Sequence, residues 1–136
     1  MSPGFDLHLA FDQDTGEAVG QILGYVLPPG ARWRQGLTTP VPDGFTDEDG
    51  ARTFAISEIM VHPEYRRRGI ARTLHDRLLA ARPERRATLL VDPDNTPVRT
   101  AYAHWGWTDV ARLLPYPDAP HFHALVIPLP VVVPPA

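Results

Sequence analysis

The stretch TFAISEIMVHPEYRRRGIARTLHDRLLA, residues 53–80, decides how the rest of the chain is read. Thr53 to Val61 is a mostly apolar, strand-forming run broken only by Ser57 and Glu58, and His62-Pro63-Glu64 ends it. From Ile70 onward Ile70, Leu74 and Leu78 recur at every fourth position, with Ala71 and Leu79 alongside and Arg72, Asp76 and Arg77 on other faces. That spacing predicts an amphipathic helix that ends before Pro83. Between strand and helix there is room only for a basic turn, Arg66-Arg67-Arg68-Gly69-Ile70-Ala71. Such a junction aims free backbone N–H groups and the positive end of the helix dipole at one spot, which suits a phosphate. Gly69 lets the backbone come close, Ala71 keeps the helix start small, and the arginines supply charge. A solvated turn would have the same composition, so the turn alone leaves both readings open.

Outward from this segment, Phe5–Phe11 and Ala18–Leu27 are extended apolar runs joined by the turn residues 12–17, a predicted β-hairpin. Pro28-Pro29-Gly30 ends the hairpin, and residues 28–52 form a long loop whose Trp33, Leu37 and Phe45 suggest that it folds over something. On the other side, Ala87–Val91 has the short continuous apolar run of a buried parallel strand, closed by Asp92-Pro93-Asp94-Asn95. Thr96-Pro97 then reads as an N-cap with proline at the first helical position, opening a helix to about Trp105 that Gly106 ends. Trp107–Leu114 and Phe122–Leu129 complete the pattern as two antiparallel strands around a proline-rich connection. The order predicts an α/β (α+β) fold, a mixed sheet with a parallel centre, in one domain over residues 1–129 with a loose tail at 130–136.

Composition narrows the function. A chain of 136 residues, 43% apolar, is enough for one compact core. Its net charge of −3 offers no global attraction to nucleic acid or an anionic membrane, and the Arg66–Arg68 run lacks interleaved aromatics, so neither partner is expected. The lack of cysteine excludes disulfides, thiolate metal sites and a cysteine acyl-enzyme, and it fits a cytoplasmic location. Met1–Leu9 has no basic start followed by a long apolar run, so no signal peptide or membrane span is expected there. His121 and His123 share a strand face without a third ligand, and no metal site is expected. His62, His75 and His104 are read as exposed or capping groups, and Ser57 lacks a nucleophile-elbow pattern.

Four linked features resemble the GNAT N-acetyltransferase family. Arg66-x-x-Gly69-x-Ala71 is similar to the family's pyrophosphate loop, and Glu58 to Glu64 is similar to its fourth strand and following turn. Leu89-Leu90-Val91 leads to Asn95, where the family places an asparagine near the pantetheine arm. Ala101-Tyr102 and Trp105-Gly106-Trp107 resemble its tyrosine-bearing helix and glycine–aromatic ending.

The resemblance implies acetyl-CoA as cofactor, with the backbone of Ile59, Met60 and Val61 along the pantetheine and thioester. It places the pyrophosphate on the turn of Arg66, Arg67, Arg68, Gly69, Ile70, Ala71 and Arg72, and Asn95 beside the pantetheine arm. Acetyl transfer from this cofactor to a primary amine of a small molecule or peptide is then direct, with Tyr102 as general acid; Glu58 is the candidate base beside the thioester. Tyr102 read without the resemblance is a tyrosine packed at the core edge, and Glu58 an outward-facing or structural carboxylate. Relative to the family, the usual first strand and two helices have no counterpart in the pattern. The chain is therefore expected to be a fragment, a reduced form of the family core, or a domain completed by a partner or a homodimer, with a module that binds acyl-CoA without catalysis as the alternative.

Overall fold

The computed structural model describes residues 4–31, 36–114 and 121–131. Strands β1 (Asp6–Phe11), β2 (Ala18–Val26) and β3 (Thr53–Val61) are followed by a 3-10 turn, Pro63–Tyr65, and helix α1 (Ile70–Ala80). Strand β4 (Arg86–Val91), helix α2 (Thr96–His104) and strands β5 (Thr108–Leu113) and β6 (Phe122–Pro128) follow. One six-stranded sheet has the order β1-β2-β3-β4-β6-β5. Only β3 and β4 run parallel, so the mixed sheet with a parallel centre is as expected.

Both helices lie on one face of that sheet. Leu74, Leu78 and Leu79 of α1 and Tyr102 of α2 share a buried cluster with Ile22, Phe54, Ile56, Leu89 and Ile127. Burying an aliphatic or aromatic side chain of this size is worth about 1.5–3 kcal/mol, so this one apolar layer is the main fold-stabilising feature. The helix spacing supplies it: Leu74 and Leu78 are four residues apart, and Leu79 widens the stripe.

Two irregularities open the sheet. Leu23 pairs with Glu58 but the next residue, Gly24, pairs with Ile56, so Ser57 is an extra residue in β3. Such a bulge bends the strand that carries it. The parallel ladder between β3 and β4 then covers only Thr53–Ala55 against Arg86–Thr88, and past it the two strands are unpaired with each other.

Several expectations need correction. The helix α2 is capped by Asn95, whose Oδ1 accepts from the Val98 N–H at 3.4 Å, so Thr96 is already the first helical residue. His75, expected to be exposed or capping, is among the most buried side chains. His62 does cap, with its Nδ1 accepting from the Glu64 N–H. His123 is buried against Asp109 (Nδ1–Oδ2 2.6 Å), whereas His121 is exposed. The loop at 28–52 is tied down at its far end: the Arg86 guanidinium meets Glu48 at 3.1 Å and Thr53 Oγ1 at 2.8 Å, and stacks over the Phe45 ring. Leu37 forms a bridge with Leu113, while Trp33 and the connection at 115–120 lie outside the described residues.

Candidate functional site

The basic turn is built from both ends. Tyr65 donates its hydroxyl to Asp12 in the β1–β2 turn, and the Arg68 guanidinium sits 4.9 Å over the Tyr65 ring. That hydrogen bond holds the Asp12 carboxyl below its ordinary range and raises the Tyr65 phenol. Arg66 turns back, its Nε donating to the Val61 carbonyl at 3.2 Å. Arg67 has φ 65° and Gly69 has φ 79°, two left-handed residues separated by one. Alternation of this kind makes a concave nest of N–H groups, and a non-glycine residue held there costs of order 1–3 kcal/mol, a strain typical of ligand-binding turns. No side chain caps α1 at Gly69, so the N–H groups of its first turn have no intrahelical partner. A Cβ at Gly69 would meet nothing within 4 Å, so the turn is open on that side.

Beside the turn, the gap between β3 and α2 forms a cleft of about 590 Å³. Ile59, Met60 and Val61 supply its strand wall, Arg66 and Ala71 its end, and Asn95, Tyr102 and Trp105 much of its helical wall. Its size and anion-favouring end fit an elongated ligand that carries a phosphate or pyrophosphate group. Of the residues singled out from the sequence, the fold therefore brings Ile59, Met60, Val61, Arg66, Ala71, Asn95 and Tyr102 to one cleft. Arg68, Gly69 and Ile70 border a second hollow of about 340 Å³ against β1, on the other side of the turn. Arg67 is exposed, and Arg72 lies over Trp105 at 5.4 Å while pairing with Asp76 at 3.0 Å.

Glu58 stands apart from this cleft. Its neighbour Ile59 pairs across from the fully buried Ile22 and packs on the core, so Glu58 projects from the opposite sheet face. There it accepts from Gln21 Nε2 at 2.9 Å. Burial pushes the Tyr102 phenol upward, and among the described residues its hydroxyl has no hydrogen-bond partner. Val98 of the cleft was not singled out from the sequence, and Trp105, read there only as part of the glycine–aromatic ending, stands three residues from Tyr102 on the same helical face.

The family model for the acetyltransferase (GNAT) family matches residues 3–107. The chain belongs to that family. Solved structures of GNAT fold agree with it. Nourseothricin acetyltransferase superposes with a TM-score of 0.68 at 20% identity, covering 94% of this chain and 67% of its own. Naa20 of Chaetomium thermophilum, in complex with a bisubstrate analogue, gives 0.68 at 21% identity over 89% of this chain and 64% of its own. The NatB acetyltransferase complex bound to CoA and MES gives 0.68 at 18% identity over 91% and 73%. This GNAT chain thus spans about two thirds of the length of the first two. No curated protein sequence matches it. Among the described residues no three His, Cys, Asp or Glu side chains could together hold a metal, and no helix is long and apolar enough to cross a membrane.

Proposed function

We propose that this GNAT protein is an N-acetyltransferase that takes acetyl-CoA in the β3–α2 cleft and moves the acetyl group directly to a primary amine of a small molecule or peptide. The observation that carries the reading is the meeting of the end of β3 that has parted from β4, the Arg66–Ala71 turn and Tyr102 in one cleft. Family membership supports the reaction class, and the CoA and bisubstrate analogue held by similar folds support the ligand and the pairing with an acceptor.

When bound, acetyl-CoA supplies an activated thioester. The chain's own groups do the rest. N–H groups of residues 67 to 72 and the arginines hold the pyrophosphate, a backbone N–H near Met60 polarises the acyl carbonyl, and Asn95 borders the pantetheine arm. The C–N bond forms as the C–S bond breaks, and Glu58, across the strand from the cleft, receives the proton lost by the amine through a water. The Tyr102 hydroxyl, kept protonated by burial, gives its proton to the departing sulfur. Glu58 and Tyr102 lie on opposite faces of the sheet, which keeps the proton-accepting and proton-donating steps apart. Thiol release measured against a panel of amines tests the reading, and acetyl transfer abolished by Tyr102→Phe together with Glu58→Gln is expected.

One observation favours a second reading, an acyl-CoA-binding module that needs a partner. The face carrying Glu58 leaves Leu7, Leu9, Tyr25, Met60 and Leu90 exposed, Met60 by 57% and Leu90 by 45%. Both described helices are on the other face. A second copy or another cytoplasmic subunit covering this surface would complete the acceptor wall. Tight CoA binding with no thiol release for any amine, reversed on adding the partner, distinguishes this reading.

A further inference from the structure

His75 is a buried titratable group that the proposed chemistry does not use. It is only 1% exposed, in the interior of α1. Trp107 Nε1 lies 2.8 Å from its Nε2. An indole N–H can only donate, so Nε2 must be unprotonated. The ring proton then sits on Nδ1, 2.8 Å from Asp76 Oδ1. Asp76 is held in turn by Arg72 Nε, 3.0 Å from each carboxylate oxygen.

The same imidazole touches the wall of the cleft. Its ring centroid is 4.8 Å from that of Trp105 and 5.9 Å from that of Trp107. Tyr102 meets both indoles edge-on, at 5.5 and 5.9 Å. Trp105 and Tyr102 line the cleft. We infer that His75 is a positioning residue: held neutral between Asp76 and Trp107, it fixes the aromatic wall against which the acyl-CoA arm lies. The inference rests on the acyl-CoA reading of the cleft.

A proton added to Nε2 would set N–H against N–H and break the bond to Trp107 in a site closed to water. The charged groups that act on the ring are Asp76 and Arg72, both on α1; Tyr102 of α2 reaches it only through the Trp105 and Trp107 rings. Burial lowers the His75 pKa, opposed by the hydrogen bond and charge of Asp76, with Arg72 lowering it further. Because the folded-state value is depressed, its contribution to stability is complete above the unfolded value of about 6.5. It is lost as pH falls from there through the folded value, since the unfolded chain takes up the proton first. The wall itself loosens only as pH falls through the folded value, where Nε2 takes up the proton.

The test is CoA affinity by calorimetry from about pH 8 to about pH 5 for wild type, His75→Gln and His75→Leu. Glutamine keeps an acceptor for Trp107 and does not titrate; leucine fills the space with no acceptor. The 3′-phosphate of CoA titrates in the same range, so the reading is the difference between proteins, in which that effect is common. Wild-type affinity should fall about tenfold more than that of His75→Gln across the acid limb, and His75→Leu should bind about tenfold more weakly than wild type at high pH, the effect of one buried hydrogen bond. The Trp107 indole proton resonance, followed without ligand, should shift with the same midpoint. Parallel pH profiles for wild type and His75→Gln, or wild-type affinity in a folded His75→Leu, overturn the inference. A wild type that binds no CoA at any pH, with the indole resonance still titrating, overturns the cleft reading instead and takes the positioning role with it.

Discussion

Replacing Gly69 by glutamate probes the basic turn, because the structure separates its effect on folding from its effect on the ligand. Gly69 has φ 79° at the N-cap of α1, and a Cβ there would meet nothing within 4 Å. Any L residue at that φ costs about 1–2 kcal/mol of stability, and no protein neighbour adds a clash. The variant should therefore fold, with a melting temperature lowered by only about 3–5 °C per kcal/mol, as expected for a domain of this size. Its carboxylate, however, enters the space over the turn where the pyrophosphate would bind. Two like charges about 4 Å apart repel by about 4 kcal/mol at the effective dielectric of a protein surface. That is close to 700-fold in Kd before screening, and about 10²-fold or more at physiological salt. Gly69→Ala, with the same backbone strain and no charge, is the control and should lose far less. Titration calorimetry with acetyl-CoA reads both. If Gly69→Glu folds and binds with wild-type affinity, the pyrophosphate does not sit on this turn, and the reasoning from helix N-terminus and nest fails with it.

Other perturbations give sharp outcomes. Tyr102→Phe should lower kcat about 10²-fold or more with little change in acetyl-CoA affinity, checked by steady-state kinetics and calorimetry, because the phenol acts only when the thiolate leaves. Leu78→Ala removes a side chain with no solvent exposure from the shared cluster and should cost about 2–5 kcal/mol in chemical denaturation. Gly24→Ala should destabilise by about 1–3 kcal/mol in the same assay, since a Cβ there would sit 2.6 Å from the Phe54 ring beside the bulge.

Strand β3 and the start of α1 were legible because the apolar period changes across a short turn, and both are found at the expected residues, Thr53–Val61 and Ile70. The bulge at Ser57 was not legible, since it depends on which β2 residues pair across it. Asn95 and Thr96 are both good capping residues; backbone conformation, not composition, gives the cap to Asn95. His75 stands four residues before Leu79, on the buried stripe, but its polarity reads as surface, and the partner that satisfies its Nε2 is 32 residues away. Similarly, the Glu48–Arg86 pair that pins the long loop joins residues 38 apart. The roles assigned to Glu58 and Tyr102 come from the resemblance and not from any periodicity. Alternation placed Glu58 on a strand, yet only the pairing of Ile59 with Ile22 tells which face it projects from.

The short seam at Thr53–Ala55 gives the sheet the mechanics of a clothes-peg. Strands β1-β2-β3 form one jaw and β4-β6-β5 the other, and the Arg86–Thr53–Glu48 cluster acts as the spring at the closed end. A ligand entering the open end can spread the jaws without breaking a ladder, because no rungs join them there. The amides at the closed end should accordingly be among the slowest to exchange, whether or not the jaws are filled.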